Sequence, residues 1–282
     1  MRIFLTGGTG FIGSHFLAAA LKSGSRVHAL RRSVNSTTTI PLPNQPNWID
    51  TSLEKLQPKD LENCDVLVHL ASAGVSPKLA PWNELVLANV TGTSHIVSVA
   101  KEAGIRRFVI AGTSHEYGAS AYTYNPIPTT APLEPLNLYG ASKAAAYQLS
   151  ATFARVYNLE LYYGRLFSVY GQGQYEKNFW PSLRAAALSG ADFPLSSGKQ
   201  IRDFIPVEDA AQMLLNACSR PNIQRGEPFV EHIATGRPQS LLDFAMSEWR
   251  RLGAKGSLLP GKLMDRIDEA PIVVGAVNHE IH

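Results

Sequence analysis

Tyr139 and Lys143 stand four positions apart in the run Tyr139-Gly140-Ala141-Ser142-Lys143. On a helix this spacing puts both side chains on one face. A free phenol titrates at about 10 and shuttles protons poorly at neutral pH. An ammonium one turn away is expected to stabilise the phenolate and lower that value. Near the N-terminus, the run Thr6-Gly7-Gly8-Thr9-Gly10-Phe11-Ile12-Gly13 lies between a short apolar strand and an amphipathic helix. In such a turn one glycine permits the bend, one lets a pyrophosphate approach the backbone, and one lets helix and strand pack closely. The helix start offers free N–H groups and the positive end of its dipole to phosphates. Gly7, Gly10, Phe11, Ile12 and Gly13 are therefore candidate cofactor residues. No Gly-Lys-Ser/Thr follows, which excludes a P-loop. Each motif alone is weak. Together they indicate hydride transfer between a nicotinamide and an alcohol or ketone carbon.

Such chemistry needs a hydroxyl beside the tyrosine to polarise the substrate oxygen. The strand-like Phe108-Val109-Ile110-Ala111-Gly112 delivers Thr113 there, with Ser114 as a neighbouring substrate contact; turn chemistry is the competing reason for both. His115 either contacts substrate or relays a proton, or is a loop histidine without a part. Cofactor choice is set at the end of the second strand, where a carboxylate would bond the ribose hydroxyls of NAD. The chain has Leu30-Arg31-Arg32-Ser33 there instead. Two guanidiniums and a hydroxyl suit a 2′-phosphate, so NADP(H) is preferred, with NAD(H) and two merely solvated arginines left open. Asp50 is placed either against the adenine amine or in solvent.

These residues need a scaffold, and strand and helix patterns alternate along most of the chain. That argues for an α/β fold with a doubly wound parallel sheet covered on both faces. Strands are expected at Arg2–Leu5, Arg26–Leu30, Asp65–Leu70, Arg107–Ala111 and Leu159–Arg165. Helices are expected at Phe11–Ser23, at Asn83–Ala103 and from Tyr139 onward, with a surface loop at Ser33–Asn47. Past residue 165 the rhythm loosens into a smaller lobe. The expected division is a nucleotide domain over 1–165, to which about 201–235 also contributes, and a lobe over 166–200 and 236–282.

Composition narrows the alternatives. Of 282 residues 45% are hydrophobic and 17% charged, enough apolar material for a large core. The net charge is only +3 and the basic residues are scattered, so nucleic acid is not an expected partner. Cys64 and Cys218 show no metal-ligand spacing, which points away from a metal or a disulfide framework. No apolar run is long enough to span a bilayer and Met1-Arg2 leads directly into a strand, so a cytoplasmic setting is expected.

In these motifs the chain resembles the extended short-chain dehydrogenase/reductases, the epimerase/dehydratase branch that acts on nucleotide sugars. The ordered set comprises Thr6–Gly13, His69-Leu70-Ala71, Asn89-Val90-Thr91-Gly92-Thr93, Thr113–Gly118, Tyr139–Lys143, Arg165–Gly171 and Arg202–Asp209. The resemblance implies a Rossmann-type cofactor domain, to which Leu70, Ala71 and Asn89 contribute, and a C-terminal lobe gripping a nucleotide-diphosphate sugar. It implies that Arg202 and Arg266 contact the diphosphate, that Ser168 stands where the family usually has Asn, and that Arg165 is structural. It also implies a homodimer built on the helices near 83–103 and 139–157. Sugar 4,6-dehydratases of this family carry an Asp-Glu pair directly after the catalytic threonine; Ser114 and His115 stand there here. The run Gly112–Gly118 is most similar to the 4-ketoreductases of deoxysugar pathways, which implies NADPH-dependent reduction of a 4-keto-6-deoxyhexose. A 4-epimerase using NAD is the rival, and a non-catalytic cofactor-binding protein of the same fold a further one. In relatives about one more helix follows the stretch matching Arg266–Glu269, whereas this sequence ends at His282.

Overall fold

The computed structural model describes residues 1–75, 80–265 and 270–277. The first half alternates as its patterning demands: β1 (Arg2–Thr6), α1 (Phe11–Lys22), β2 (Arg26–Arg31), β3 (Asn47–Asp50) and β4 (Val66–His69). Next come α2 (Trp82–Leu85), a π-helical turn (Val86–Thr91) and α3 (Gly92–Glu102). β5 (Arg107–Thr113), α4 (Leu138–Val156) and β6 (Glu160–Leu166) follow. The helix expected over Asn83–Ala103 is thus widened in its middle. A π turn carries one extra residue and re-aims a side chain, here Asn89, which is wholly buried.

Seven parallel strands lie in the order β3-β2-β1-β4-β5-β6-β10, where β10 is Phe229–Ile233. The order reverses between β1 and β4, so a crevice opens beyond their carboxyl ends, where open α/β sheets bind ligands. Alternation along the strands fills both faces. Ile3, Leu5, Val27, Ala29 and Val68 pack against Phe16, Leu17 and Ala20 of α1 and against Leu214 of a later helix, α6 (Val207–Ala217). Phe4, Leu67, Phe108, Ile110 and Leu161 pack on the other side, against Ile96, Val97 and Ala100 of α3 and Ala151 and Ala154 of α4.

The remaining elements are β7 (Ser168–Tyr170), α5 (Phe179–Ser189), β8 (Phe193–Pro194), β9 (Ile201–Pro206), β11 (Pro238–Ser240), α7 (Leu241–Arg251), β12 (Leu258–Leu259) and β13 (Ile272–Val273). β9 pairs with β7, β11 and β13 in a second sheet, and β8 pairs with β12. Leu183, Ala187, Leu195, Ala245 and Trp249 give α5 and α7 a core of their own. Between Ile201 and Ile233, β9 lies in the second sheet, α6 covers the first, and β10 adds its seventh strand. No helix among the described residues is long and apolar enough to cross a membrane, and none of their His, Cys, Asp and Glu side chains form a metal-binding group of three.

Candidate active site

The glycine turn closes tightly at the end of β1. Gly10 N–H donates to the Gly7 carbonyl at 2.9 Å, and Ser14 Oγ ties back to the Gly10 carbonyl at 2.7 Å. Gly7 has φ +78, and a Cβ there would meet the backbone of Leu70 and Ala71; a Cβ on Gly13 would strike the Gly7 carbonyl. This backbone-lined cradle at a helix start fits a dinucleotide pyrophosphate. Phe11, Ile12 and Gly13 supply first-turn N–H groups that have no carbonyl within the helix to bond.

The second wall of the cradle is pinned from behind by a buried chain of hydrogen bonds. Thr93 Oγ1 donates to the Asn89 carbonyl (2.6 Å) and accepts from His69 Nε2 (3.0 Å), so His69 Nδ1 accepts from Thr6 Oγ1 (2.7 Å). Burial pushes His69 down to about 3, so it stays neutral. Asn89 does not line the cradle. Its Oδ1 accepts from Ala73 N–H (2.8 Å) and Ser72 Oγ (3.0 Å), and its Nδ2 donates to Ser142 Oγ (2.9 Å). Ser142 in turn donates to the Tyr139 carbonyl at 2.8 Å. Asn89 thereby fixes the Ser72–Ala73 loop and the tyrosine-bearing turn of α4 relative to each other.

Thr113, Ser72 and Tyr139 meet at the carboxyl end of β5, where the two hydroxyl side chains favour the ionised phenol and so oppose the effect of its burial. Asn137 caps α4, with Oδ1 accepting from Gly140 N–H at 2.8 Å. Its Nδ2 lies 3.2 Å from His115 Nδ1, and the exposed His115 ring stands edge-on to Tyr139 at 5.9 Å. Ser114 is half-buried beside it. Lys143 lies inside, 3% exposed. The expectation that the lysine depresses the phenol is reversed here. Burial dominates and holds Tyr139 at about 12, the Ser72 and Thr113 hydrogen bonds offsetting it only in part, and burial lowers Lys143 as well.

Glu116 is the largest feature missed by reading residue types. It is fully buried. Oε1 accepts from Thr113 N–H (2.9 Å) and the Tyr163 hydroxyl (2.8 Å), and Oε2 from Arg165 Nε (2.8 Å). Arg165 Nη1 reaches the Tyr117 hydroxyl at 2.7 Å and the Thr129 carbonyl at 3.0 Å, with its guanidinium over the Tyr117 and Tyr147 rings. The chain of bonds continues from Tyr117 to His232 Nε2 (2.6 Å) and from His232 Nδ1 to the Ala276 carbonyl (2.9 Å). A capping-box signal, Thr113 followed by Glu116 three residues on, was present in the sequence and marks this turn.

The ends of β2 and β3 hold a second departure. Arg31 and Asp50 face each other in register, and the arginine grips the carboxylate through Nε (2.6 Å) and Nη2 (3.2 Å) while lying over the Trp48 ring. Asp50 is thus committed to Arg31, whereas Arg32 and Ser33 are exposed. Ser168 and Arg202 stand on neighbouring strands of the second sheet, β7 and β9. Arg202 Nη1 is tied to the carbonyls of Ile201 (2.8 Å) and Pro271 (3.2 Å). Arg266 lies outside the described residues.

The chain is similar to known proteins in sequence and in fold. The chain is 28% identical to dTDP-6-deoxy-L-talose 4-dehydrogenase (NAD(+)) of Aggregatibacter actinomycetemcomitans, over 86% of this chain and 87% of that one. It is 26% identical to dTDP-D-glucose 4,6-dehydratase of Mus musculus, over 86% and 71%. The structure of MoeE5 in complex with UDP-glucose and NAD superimposes with a TM-score of 0.82 at 29% identity, covering 99% of this chain and 90% of that one. Residues 3–230 match the NAD dependent epimerase/dehydratase family. With its seven-stranded parallel sheet, glycine cradle and Thr113–Tyr139–Lys143 grouping, the chain is an enzyme of that family, an extended short-chain dehydrogenase/reductase.

Proposed function

We propose that the enzyme reduces the 4-keto group of a nucleotide-diphosphate-linked 6-deoxyhexose with NADPH. The observation that carries the reading is the state of Glu116. Eliminating water from a sugar needs a free acid/base pair beside the threonine. Here Ser114 and His115 follow Thr113, and the nearest carboxylate is sealed by Arg165, Tyr163 and the Thr113 N–H. What remains can serve one oxygen. The relative named for 4-dehydrogenation of a 6-deoxysugar supports C4 as the site, and MoeE5, held with UDP-glucose and NAD, supports a nucleotide sugar.

When bound, the dinucleotide supplies hydride to the sugar C4. Tyr139 donates its proton to the oxygen as it gains charge, and Thr113 Oγ1 holds that oxygen by a hydrogen bond. A phenol held at about 12 is fully protonated at neutral pH, as the acid of a reduction must be. Lys143 holds the nicotinamide ribose, Ser114 and His115 face the sugar, and Ser168, Arg202 and Arg266 serve its diphosphate. In this reading the seven-stranded sheet serves the cofactor and the second sheet with α5 and α7 serves the nucleotide sugar. The exposed Leu149 and Val156 of α4, with Tyr157 just beyond its end, support a homodimer through α3 and α4.

A panel of NDP-4-keto-6-deoxyhexoses, assayed with NADPH and NADH, tests the reading. Stoichiometric oxidation of the reduced cofactor by one of them is expected. Turnover without added cofactor, by enzyme that purifies with NAD, would replace it with a 4-epimerase.

Selectivity for NADPH is expected to be modest, because Asp50 already neutralises Arg31 and leaves Arg32 and Ser33 to meet a 2′-phosphate. Asp50→Asn should free the guanidinium and tighten NADPH about tenfold relative to NADH, the worth of one charge-assisted hydrogen bond. Quenching of tryptophan fluorescence by each cofactor measures both affinities. An unchanged ratio removes Arg31 from cofactor choice.

A further inference from the structure

We propose that His15 is a positioning residue that clasps the cofactor turn to the loop following β7, so that a dinucleotide seated on the first turn of α1 also orders the strand carrying Ser168. Its bearing on the sugar rests on the reading of Ser168 as a diphosphate contact.

The clasp joins three segments that are far apart in the chain. His15 lies four places after Phe11 on α1 and is 8% exposed. The two rings meet edge-on at 5.9 Å. His15 Nε2 is 2.8 Å from the Gln172 carbonyl. A carbonyl only accepts, so Nε2 carries the proton and donates it. Nδ1 faces Glu208 Oε1, 3.7 Å away at the start of α6. One residue earlier, the buried Ser14 donates from Oγ to the Gly10 carbonyl (2.7 Å) and accepts there from Thr39 N–H (3.0 Å). Thr39 belongs to the long connection between β2 and β3, and it lies against Gly173. A Cβ on Gly173 would come within 2.6 Å of Thr39 Oγ1, and the φ of +84 there suits glycine alone.

The same loop is fixed to the second sheet at its other side. Gln174 Nε2 donates to the Val169 carbonyl at 3.3 Å, and Gly171 is backed by Val207, which a Cβ would meet at 2.5 Å. β7 itself pairs with β9 from Ser168 to Tyr170. His15 therefore stands between the glycine turn and the strand that presents Ser168. The first N–H groups of a helix have no carbonyl partner of their own, and helix ends open easily. A pyrophosphate bonded at the start of α1 removes that freedom. Whatever the same turn holds is then ordered at less cost, which links two sites without any change of shape.

Hydrogen exchange tests the clasp without a sugar substrate. Peptides covering residues 7–14 and 168–174 are followed with and without saturating NADPH or NADH, in wild type, His15→Leu and Gly173→Ala, with thermal stability measured in parallel. In the wild type the cofactor should slow exchange in both segments, by about tenfold over 168–174, the worth of one buried hydrogen bond. His15→Leu should keep the protection of 7–14 and lose that of 168–174. Gly173→Ala, which drives the loop off Thr39 from the other side, should do the same and decides the matter if His15→Leu does not fold. Were His15 merely structural, the loop would exchange faster in both states and the cofactor would still slow it tenfold. That result overturns the proposal, as does a wild type protected at 7–14 but unaffected at 168–174. If the loop is protected through His15 while UDP, dTDP, GDP and CDP all leave 168–174 unchanged, the reading of Ser168 fails and the clasp stands.

Discussion

Tyr139→Phe should lose about 10²–10⁴-fold in turnover, the usual contribution of a positioned general acid, while NADPH affinity stays within about twofold of wild type. The expectation follows from where the hydroxyl sits. It lies beside Ser72 and Thr113, where the proposed reaction brings the sugar oxygen. The ring would keep its edge-on packing with His115, and Ser142, bonded to the Tyr139 carbonyl, would still be held by Asn89. The fold of the turn is therefore conserved and only the proton is removed. At about 3–5 kcal/mol in the transition state, the loss should fall on kcat with little change in KM. Wild-type reduction should be insensitive to tyrosine ionisation through neutral pH, because the protonated phenol persists up to about 12. Steady-state kinetics and cofactor titration on the same preparations check both halves. Full activity in Tyr139→Phe would remove the phenol from the mechanism.

Much of this site was legible because its parts are local. A glycine turn between β1 and α1, a Tyr and a Lys one helical turn apart, and a hydroxyl at a strand end are patterns that short segments enforce on themselves. The parallel α/β sheet followed from alternation, whereas the strand order that brings the carboxyl ends of β1 and β5 near each other was not read from it. Parts requiring a distant partner were not legible. Nothing next to Glu116 in the chain announces its part, which depends on Arg165 and Tyr163 from the neighbouring strand β6. Asp50 read as an adenine contact or a solvent-facing residue, because nothing local says that parallel pairing of β2 and β3 brings Arg31 opposite. Ser72 carried no motif, and Asn89 read as lining the cofactor when its amide is spent on loop and helix. The tyrosine–lysine electrostatics failed for another reason. Spacing gives proximity but not desolvation, and here desolvation is the larger effect on both groups.

Arg165→Met should destabilise the fold by about 3–5 kcal/mol, because it strands the Glu116 carboxylate in a site without water. Arg165 is 1% exposed and has no spare solvent contact to lose, so the whole cost is internal. Its Nε holds Glu116, its Nη1 holds Tyr117 and the Thr129 carbonyl, and its face lies against two tyrosine rings. Methionine can replace the packing but none of the three hydrogen bonds. Restoring charge balance should therefore recover part of the loss, and the Glu116→Gln/Arg165→Met double variant is expected to be more stable than Arg165→Met alone. Urea unfolding of the wild type, both single variants and the double closes the cycle. A single variant within about 1 kcal/mol of wild type would show that the pair is not electrostatically isolated and that water reaches it.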